Sequence, residues 1–203
     1  MSCTEGSKKT VASQALVNAT KERISLRGLA RIFGVSRKAI TQWLKEAIRA
    51  LPPFQSSVSA SQPGDVLELD EVWSFVANKQ QKVWLWLALC RRTRQIVAYT
   101  LGDRSTQTCQ ELYNKLPDAY RHCKTYSDFW DAYKAVFPTD THQALGKEAG
   151  QTNHVERWNN TLRQRMARYV RKTLSFSKSL TSHHLFVKWF VFHYNLDCLV
   201  SCT

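Results

Sequence analysis

Residues 66–76 read VLELDEVWSFV, and two later runs, VWLWLALC at 83–90 and QIVAYTL at 95–101, share their character. Each is strand-sized and rich in leucine, β-branched and aromatic residues. Polar text separates them, ANKQQK at 77–82 and RRTR at 91–94. Apolar runs bounded in this way predict three consecutive strands in an antiparallel meander. The first run also carries acids in its interior. Side chains alternate between the faces of a strand, so Leu67, Leu69, Glu71 and Trp73 share one face, and Val66, Glu68, Asp70 and Val72 share the other. Glu71 therefore falls among large apolar groups and Asp70 does not. This favours Asp70 as the working acid, with Glu68 as a supporting group, unless a bulge reverses the faces.

Downstream, STQTCQELYNKL (105–116) reads as a helix, HCKTYSD (122–128) as a strand that closes on Asp128, and FWDAYKAV (129–136) as a short helix. THQAL (141–145) is a candidate last strand. A long helix is expected from Glu156 through NHVERWNNTLRQRMARYVRKT (153–173), and HHLFVKWFVFHYNL (183–196) reads as a final helix packed on the body. Three strands, helix, strand, helix, strand, helix is the order of an α+β, ribonuclease H-like fold.

Upstream, ISLRGLARIFGVSRKAITQWLKEAIRAL (24–51) has the pattern of two short helices. Ser25 caps the first, Gly34 supplies the turn, Ser36 caps the second, and Pro52 and Pro53 end it. Phe33, Val35, Ile40, Trp43 and Leu44 are expected to fill the space between them. Arg37, Lys38, Thr41, Gln42 and Lys45 then point outward, a set able to contact phosphates or base edges. This is a helix-turn-helix signature. The chain thus divides into a helix-turn-helix region over 1–53, a linker over 54–64 (FQSSVSASQPG) and a catalytic domain with C-terminal helices over 65–203.

The 203 residues are 43% hydrophobic, enough for a core. No apolar run is long enough to span a membrane, and MSCTEGSKK lacks the apolar segment of a secretory signal, so a cytoplasmic location is expected. Six cysteines form no C-x-x-C pair, which speaks for buried thiols over a zinc site; His193 with Cys198 and Cys202 fits no common zinc spacing. The net charge of +13 suits a polyanionic partner. It is distributed as +7 over residues 1–60, zero over 61–150 and +6 over 151–203, two basic ends around a neutral middle that holds most of the acids.

Asp70 in a strand, Asp128 at a strand end and Glu156 at the start of a basic helix match the requirement of two-metal phosphoryl transfer. Hard carboxylate oxygens suit Mg, and Mn can substitute. Asp70 would bridge two ions, with Asp128 and Glu156 each holding one. At 100° per residue, Glu156, Asn160 and Arg163 share a helix face, while Trp158, Leu162 and Tyr169 can pack inward. Arg163 would reach a substrate phosphate, and Arg165, Arg168, Arg171 and Lys172 extend a positive track along DNA. Asp131, one turn after Asp128, is read as the start of the short helix.

LDEVWSFV around the first acid, SDFWDAY around the second, and HVERWNNTLRQ with RKTLSFSKS around the third resemble the insertion sequence one family of bacterial transposases, with DDE chemistry. The resemblance runs from Asp65 to about Leu180. It implies a ribonuclease H-like domain, Mg as cofactor, and binding to the terminal repeats of an element and to target DNA. It also implies multimer formation, a triad of Asp70, Asp128 and Glu156, and Arg163 as its basic partner. At the N-terminus, family members usually carry a cysteine-paired zinc ribbon, and this chain has only Cys3 there. Two other activities remain open on the residues alone: a DNA-binding regulator of its own element, and a ribonuclease H-like nuclease without strand transfer.

Overall fold

The computed structural model describes residues 15–170, 172 and 175–201. Its centre is a five-stranded mixed sheet. Strand β1 (Val66–Val76) pairs antiparallel with β2 (Asn78–Cys90), and β2 with β3 (Ile96–Gly102). On the other side of β1, β4 (Lys124–Ser127) runs parallel to it and β5 (His142–Ala144) parallel to β4, giving the order β3-β2-β1-β4-β5. β1 is central and covered on both faces, which is why it carries apolar residues on each, Leu67 and Leu69 on one and Val72 on the other.

Helices cover both faces. On one, Leu67, Leu69, Trp86 and Ala88 pack with Cys109 and Leu112 of α3 (Thr106–Lys115) and Ala132 and Tyr133 of α4 (Asp131–Val136). On the other, Val72, Leu85 and Leu87 pack with Val155, Trp158 and Leu162 of α5 (Asn153–Arg165) and Val187 and Phe190 of α6 (Leu180–Ser201). Chain order and element types agree with the sequence reading of an α+β body.

Four details differ from it. β2 begins at Asn78, so most of ANKQQK belongs to the strand: Ala77 makes the turn at φ 61°, and the exposed residues 78–82 continue β2 beyond the core. Of these residues Asn78 and Lys82 pair with β1, opposite Val76 and Phe75, and none is apolar, so polarity hid this extension. The register also slips between Phe75 and Val76, beyond Asp70, so the alternation argument at the acids is untouched. The helix bearing Glu156 starts earlier, at Asn153, and stops at Arg165; Met166 is extended and Ala167–Tyr169 forms a separate 3₁₀ turn. The Ser74 hydroxyl donates to the Arg168 carbonyl at 3.2 Å and Tyr169 meets His183 at 3.1 Å, tertiary bonds that override the helical pattern there.

The third difference is Trp43, which is 43% exposed and not part of the core. The preceding hairpin is otherwise as expected. α1 (Leu26–Phe33) is capped by Ser25, whose Oγ accepts from Gly28 N–H, and ends at Gly34 with φ 64°. Ser36 caps α2 (Arg37–Arg49) by accepting from Ala39 N–H. Ile40, Leu44 and Ile48, spaced by four, carry the buried stripe, and Trp43 lies off its edge. These residues pack with Leu16, Leu29 and Trp189 of α6, so the hairpin is docked on the body.

The fourth is the stretch 54–64. Ser59 N–H donates to Gln95 Oε1, Gln95 Nε2 to the Ser57 carbonyl, Tyr120 Oη to the Ser59 carbonyl, and Arg92 to the Ala60 carbonyl. It is a strap fastened to the body, and side chains distant in sequence do the fastening. Cys90, Cys109 and Cys123 are buried free thiols, while Cys3 and Cys202 lie outside the described residues. Among the described residues no helix is long and apolar enough to cross a membrane.

Candidate functional site

The alternation of β1 separates its acids. Glu71 points into the α3–α4 side, where its carboxylate is bonded by Arg104 Nε at 2.8 Å, by Arg104 Nη2 and by the Tyr133 hydroxyl at 2.9 Å. The Arg104 guanidinium lies 4.8 Å from the Trp84 ring and 3.9 Å from the Trp130 ring. Burial first, then the Asp128 charge, push the Glu71 carboxyl upward, and Tyr133 and Arg104 oppose them. Glu71 is thus committed to an internal ion pair.

Asp70 points to the α5 side. Its Oδ1 accepts from the N–H of Glu71 at 2.8 Å, and its Oδ2 accepts from Asn159 Nδ2 at 2.5 Å. No cationic side chain is among these partners. Burial, then the charge of Glu71, and further the charges of Asp128 and Glu156 push its carboxyl up to about 7, against the backbone bond. The three acids named from the sequence therefore act on one another electrostatically, although they come from β1, the end of β4 and α5.

Asp128 follows β4, with its Oδ1 accepting from the N–H of Trp130 at 3.1 Å. Asp131 is the first residue of α4. Glu156 is half-buried in the first turn of α5 and accepts from the Thr152 hydroxyl at 3.3 Å. The placement of α5 comes from Glu68, which is fully buried. Its Oε2 accepts from the backbone N–H groups of His154 and Val155 at 2.8 and 3.0 Å; its Oε1 meets His154 Nδ1 at 2.5 Å and Arg91 Nε at 2.8 Å. A carboxylate from the strand thereby satisfies the free N–H groups at the helix start.

Sequence reasoning missed Asn159. It gave Asn160 to the site, but Asn160 is exposed, and the buried Asn159 bonds Asp70. A polar residue between the inward Trp158 and Leu162 was the available signal. Arg163 is half-buried, two turns along α5 from Glu156. Arg165 is given to intramolecular partners: Glu22 and Asp197 at 3.3 and 3.7 Å, and the Lys21 carbonyl at 3.2 Å. Arg168 bonds Ser177 Oγ at 2.9 Å and lies 3.7 Å over Phe186, and burial lowers its pKa to about 10. These two differ from the expected open track, because the chain ends its helix and folds α6 over them. Lys172 is exposed, and Arg171 lies outside the described residues.

On α2, Arg37, Lys38, Gln42 and Lys45 are exposed, and Thr41 donates to the Arg37 carbonyl at 2.8 Å. Between the hairpin and the body lies a cleft of about 570 Å³, lined by Arg27, Arg37, Arg165, Arg168 and Lys178 against a single acid, Glu22.

The donors around Asp70 are oxygens with surplus negative charge. Asn159 Oδ1 is buried without a hydrogen-bond partner. Both observations fit a hard divalent cation. Among the described residues no three His, Cys, Asp or Glu side chains close on one point. Mg, which binds through few carboxylates and retains waters, tolerates such an open set.

Acids of β1, the end of β4 and α5 that act on one another electrostatically, beside a basic helical hairpin, fit a protein that works on a polyanion. The family of IS1 transposases matches residues 66–195, and the chain belongs to that family, whose members are DNA-transferring enzymes. It is 40% identical over 126 residues to the insertion element iso-IS1n protein InsB of Shigella dysenteriae, covering 62% of this chain and 93% of that protein. It is 36% identical over 141 residues to the insertion element IS1 4 protein InsB of Escherichia coli K12, covering 65% and 82%. DDE transposases generally use divalent metal ions.

Proposed function

We propose that this protein is a DNA transposase that cuts DNA at the ends of its element and joins the freed 3′-hydroxyl to target DNA, through a ribonuclease H-like body over 65–203. The observation that carries this reading is Asp70, a carboxylate without a cationic partner at its oxygens, inside the field of Asp128 and Glu156. A structural acid is paired, as Glu71 is with Arg104. Two Mg ions, with Mn as a substitute, would be held by Asp70, Asp128 and Glu156 and would supply activation of the attacking oxygen and stabilisation of the leaving one.

The chain's own residues orient the reaction. Asn159 fixes the Asp70 carboxylate, and the Asp128 carboxylate is held by the turn at Trp130. Arg163, on the helix of Glu156, contacts a substrate phosphate, and the exposed Asn160 lies beside the DNA path. The helix-turn-helix over 1–53 recognises the terminal repeat with Arg37, Lys38, Thr41, Gln42 and Lys45. In the cleft it forms with the body, Arg27, Arg37 and Lys178 supply positive charge for a phosphodiester backbone. The protein acts as a multimer on paired element ends.

Asp70→Ala and Glu156→Ala are expected to abolish Mg-dependent cleavage of terminal-repeat DNA and to leave end binding in place. Cleavage by both variants would refute the triad. A wild-type protein that binds ends and cuts none with Mg or Mn would be a regulator. One that cuts but does not join a target duplex would be a nuclease.

A further inference from the structure

The helix that brings Glu156 to the site is gripped twice by β1. Glu68 and Asp70 are two residues apart on one strand face, about 7 Å along the strand. The groups they hold, the N–H groups of His154 and Val155 and the amide of Asn159, are four to five residues apart on α5, about 7 Å along its axis. The matching advance lets α5 lie alongside β1 with both grips closed at once, and Glu156 falls between them.

We infer that Glu68 and Asn159 are the positioning residues of the site, a two-point clamp that sets Glu156 against Asp70 for divalent-cation binding. The inference rests on the proposed reading of the acids as a cation site. Four donors occupy both Glu68 oxygens: Arg91 Nε, His154 Nδ1 and two backbone N–H groups. Glu68 is therefore an anchor and not a ligand. Its partners sit at the start of the helix, where N–H groups lack helical acceptors. At the other grip, Asn159 uses Nδ2 on Asp70 and keeps a buried, unpartnered Oδ1, an acceptor left for a water or ligand of the site. A wholly structural role would place these groups in the core without an open acceptor beside the working acid.

The test is Mn²⁺ binding, followed by electron paramagnetic resonance on the full chain without DNA. Glu68→Gln and Asn159→Ala are each expected to weaken Mn²⁺ binding about 10-fold or more, the usual effect of removing an outer-shell partner. The double variant should equal Glu68→Gln within about threefold, since displaced helix residues cannot be lost twice. Melting temperatures that fall while Mn²⁺ affinity stays at the wild-type value would overturn the inference. Effects that multiply in the double variant would overturn the clamp as a unit. If Glu68→Gln does not fold, Asn159→Ala, which leaves the first grip closed, must still weaken Mn²⁺ binding. Wild-type protein that binds no Mn²⁺ would remove the cation-site reading itself, whereas wild-type binding with unaltered variants would remove only the clamp.

Discussion

Asp70→Asn is expected to stabilise the cation-free protein at pH 8 while making it unresponsive to Mg. The Asp70 carboxyl is pushed from 3.8 to about 7 by burial and by neighbouring carboxylates. Between those values the folded chain holds a proton that the unfolded chain has released, so stability falls as pH rises from about 4 to about 7. At pH 8 the full difference corresponds to about 4 kcal/mol, at about 1.4 kcal/mol per pKa unit. Solvent at the half-buried carboxylate screens part of this, and a gain of about 2 kcal/mol is the figure to expect from removing the charge. For a chain of this size that is about 4–8 °C in melting temperature. Asparagine keeps an acceptor for the Glu71 N–H, and a flip of the Asn159 amide, which turns its unpartnered Oδ1 toward the new NH2, replaces the bond that Asp70 Oδ2 accepted. Thermal melts of both proteins at pH 3, 5 and 8, with chelator and then with Mg, make the assay. The gap should be near zero at pH 3 and largest at pH 8. Mg should raise the wild-type melting point and leave the variant's unchanged, by mass action on the folded state alone. An Asp70→Asn protein that is less stable at pH 8, or a gain independent of pH, would refute the charge argument.

Glu71→Gln should behave oppositely and destabilise the fold by about 3–5 kcal/mol in urea titrations, because it strands Arg104 between Trp84 and Trp130. Trp189→Ala removes the 3% exposed ring under the N-terminal hairpin and its bond to Thr20 at 2.9 Å. A loss of about 3–5 kcal/mol and earlier proteolytic release of the hairpin are expected. His183 is fully buried between Tyr169 and Ser177, and burial lowers its pKa to about 4. Its contribution is present above about pH 6.5 and is lost as pH falls toward 4, so His183→Gln should flatten the acid limb of the stability curve.

Much of this was legible in local sequence. Strand alternation sent Asp70 and Glu71 to opposite faces. Ser25, Gly34 and Ser36 marked the helical hairpin through capping chemistry that depends on neighbours a few residues away. The strap over 54–64 was not legible, because Gln95, Tyr120 and Arg92 fasten it from positions distant in sequence. Trp43 was misplaced because helical spacing gives an angle, and whether that angle is covered depends on what packs there.

The end of α5 was lost for a related reason. ERWNNTLRQRMARY keeps a helical pattern past Arg165, and the groups that meet the chain where the helix ends, Ser74 at the Arg168 carbonyl and His183 at Tyr169, come from β1 and α6. Asn159 over Asn160 is a difference of 100° around a helix whose phase is set by the grip of Glu68 on its first turn.

The sequence by itself determined the order of elements, the two basic ends and the placing of three acids on a strand, at a strand end and at a helix start, since each follows from periodicity, charge or local text. Tertiary structure alone decided which acid is paired and which is left without a cation, where the basic helix stops, and which amide meets Asp70. Those outcomes depend on groups brought together from separate elements, at distances of about 3 Å that no spacing in the chain encodes.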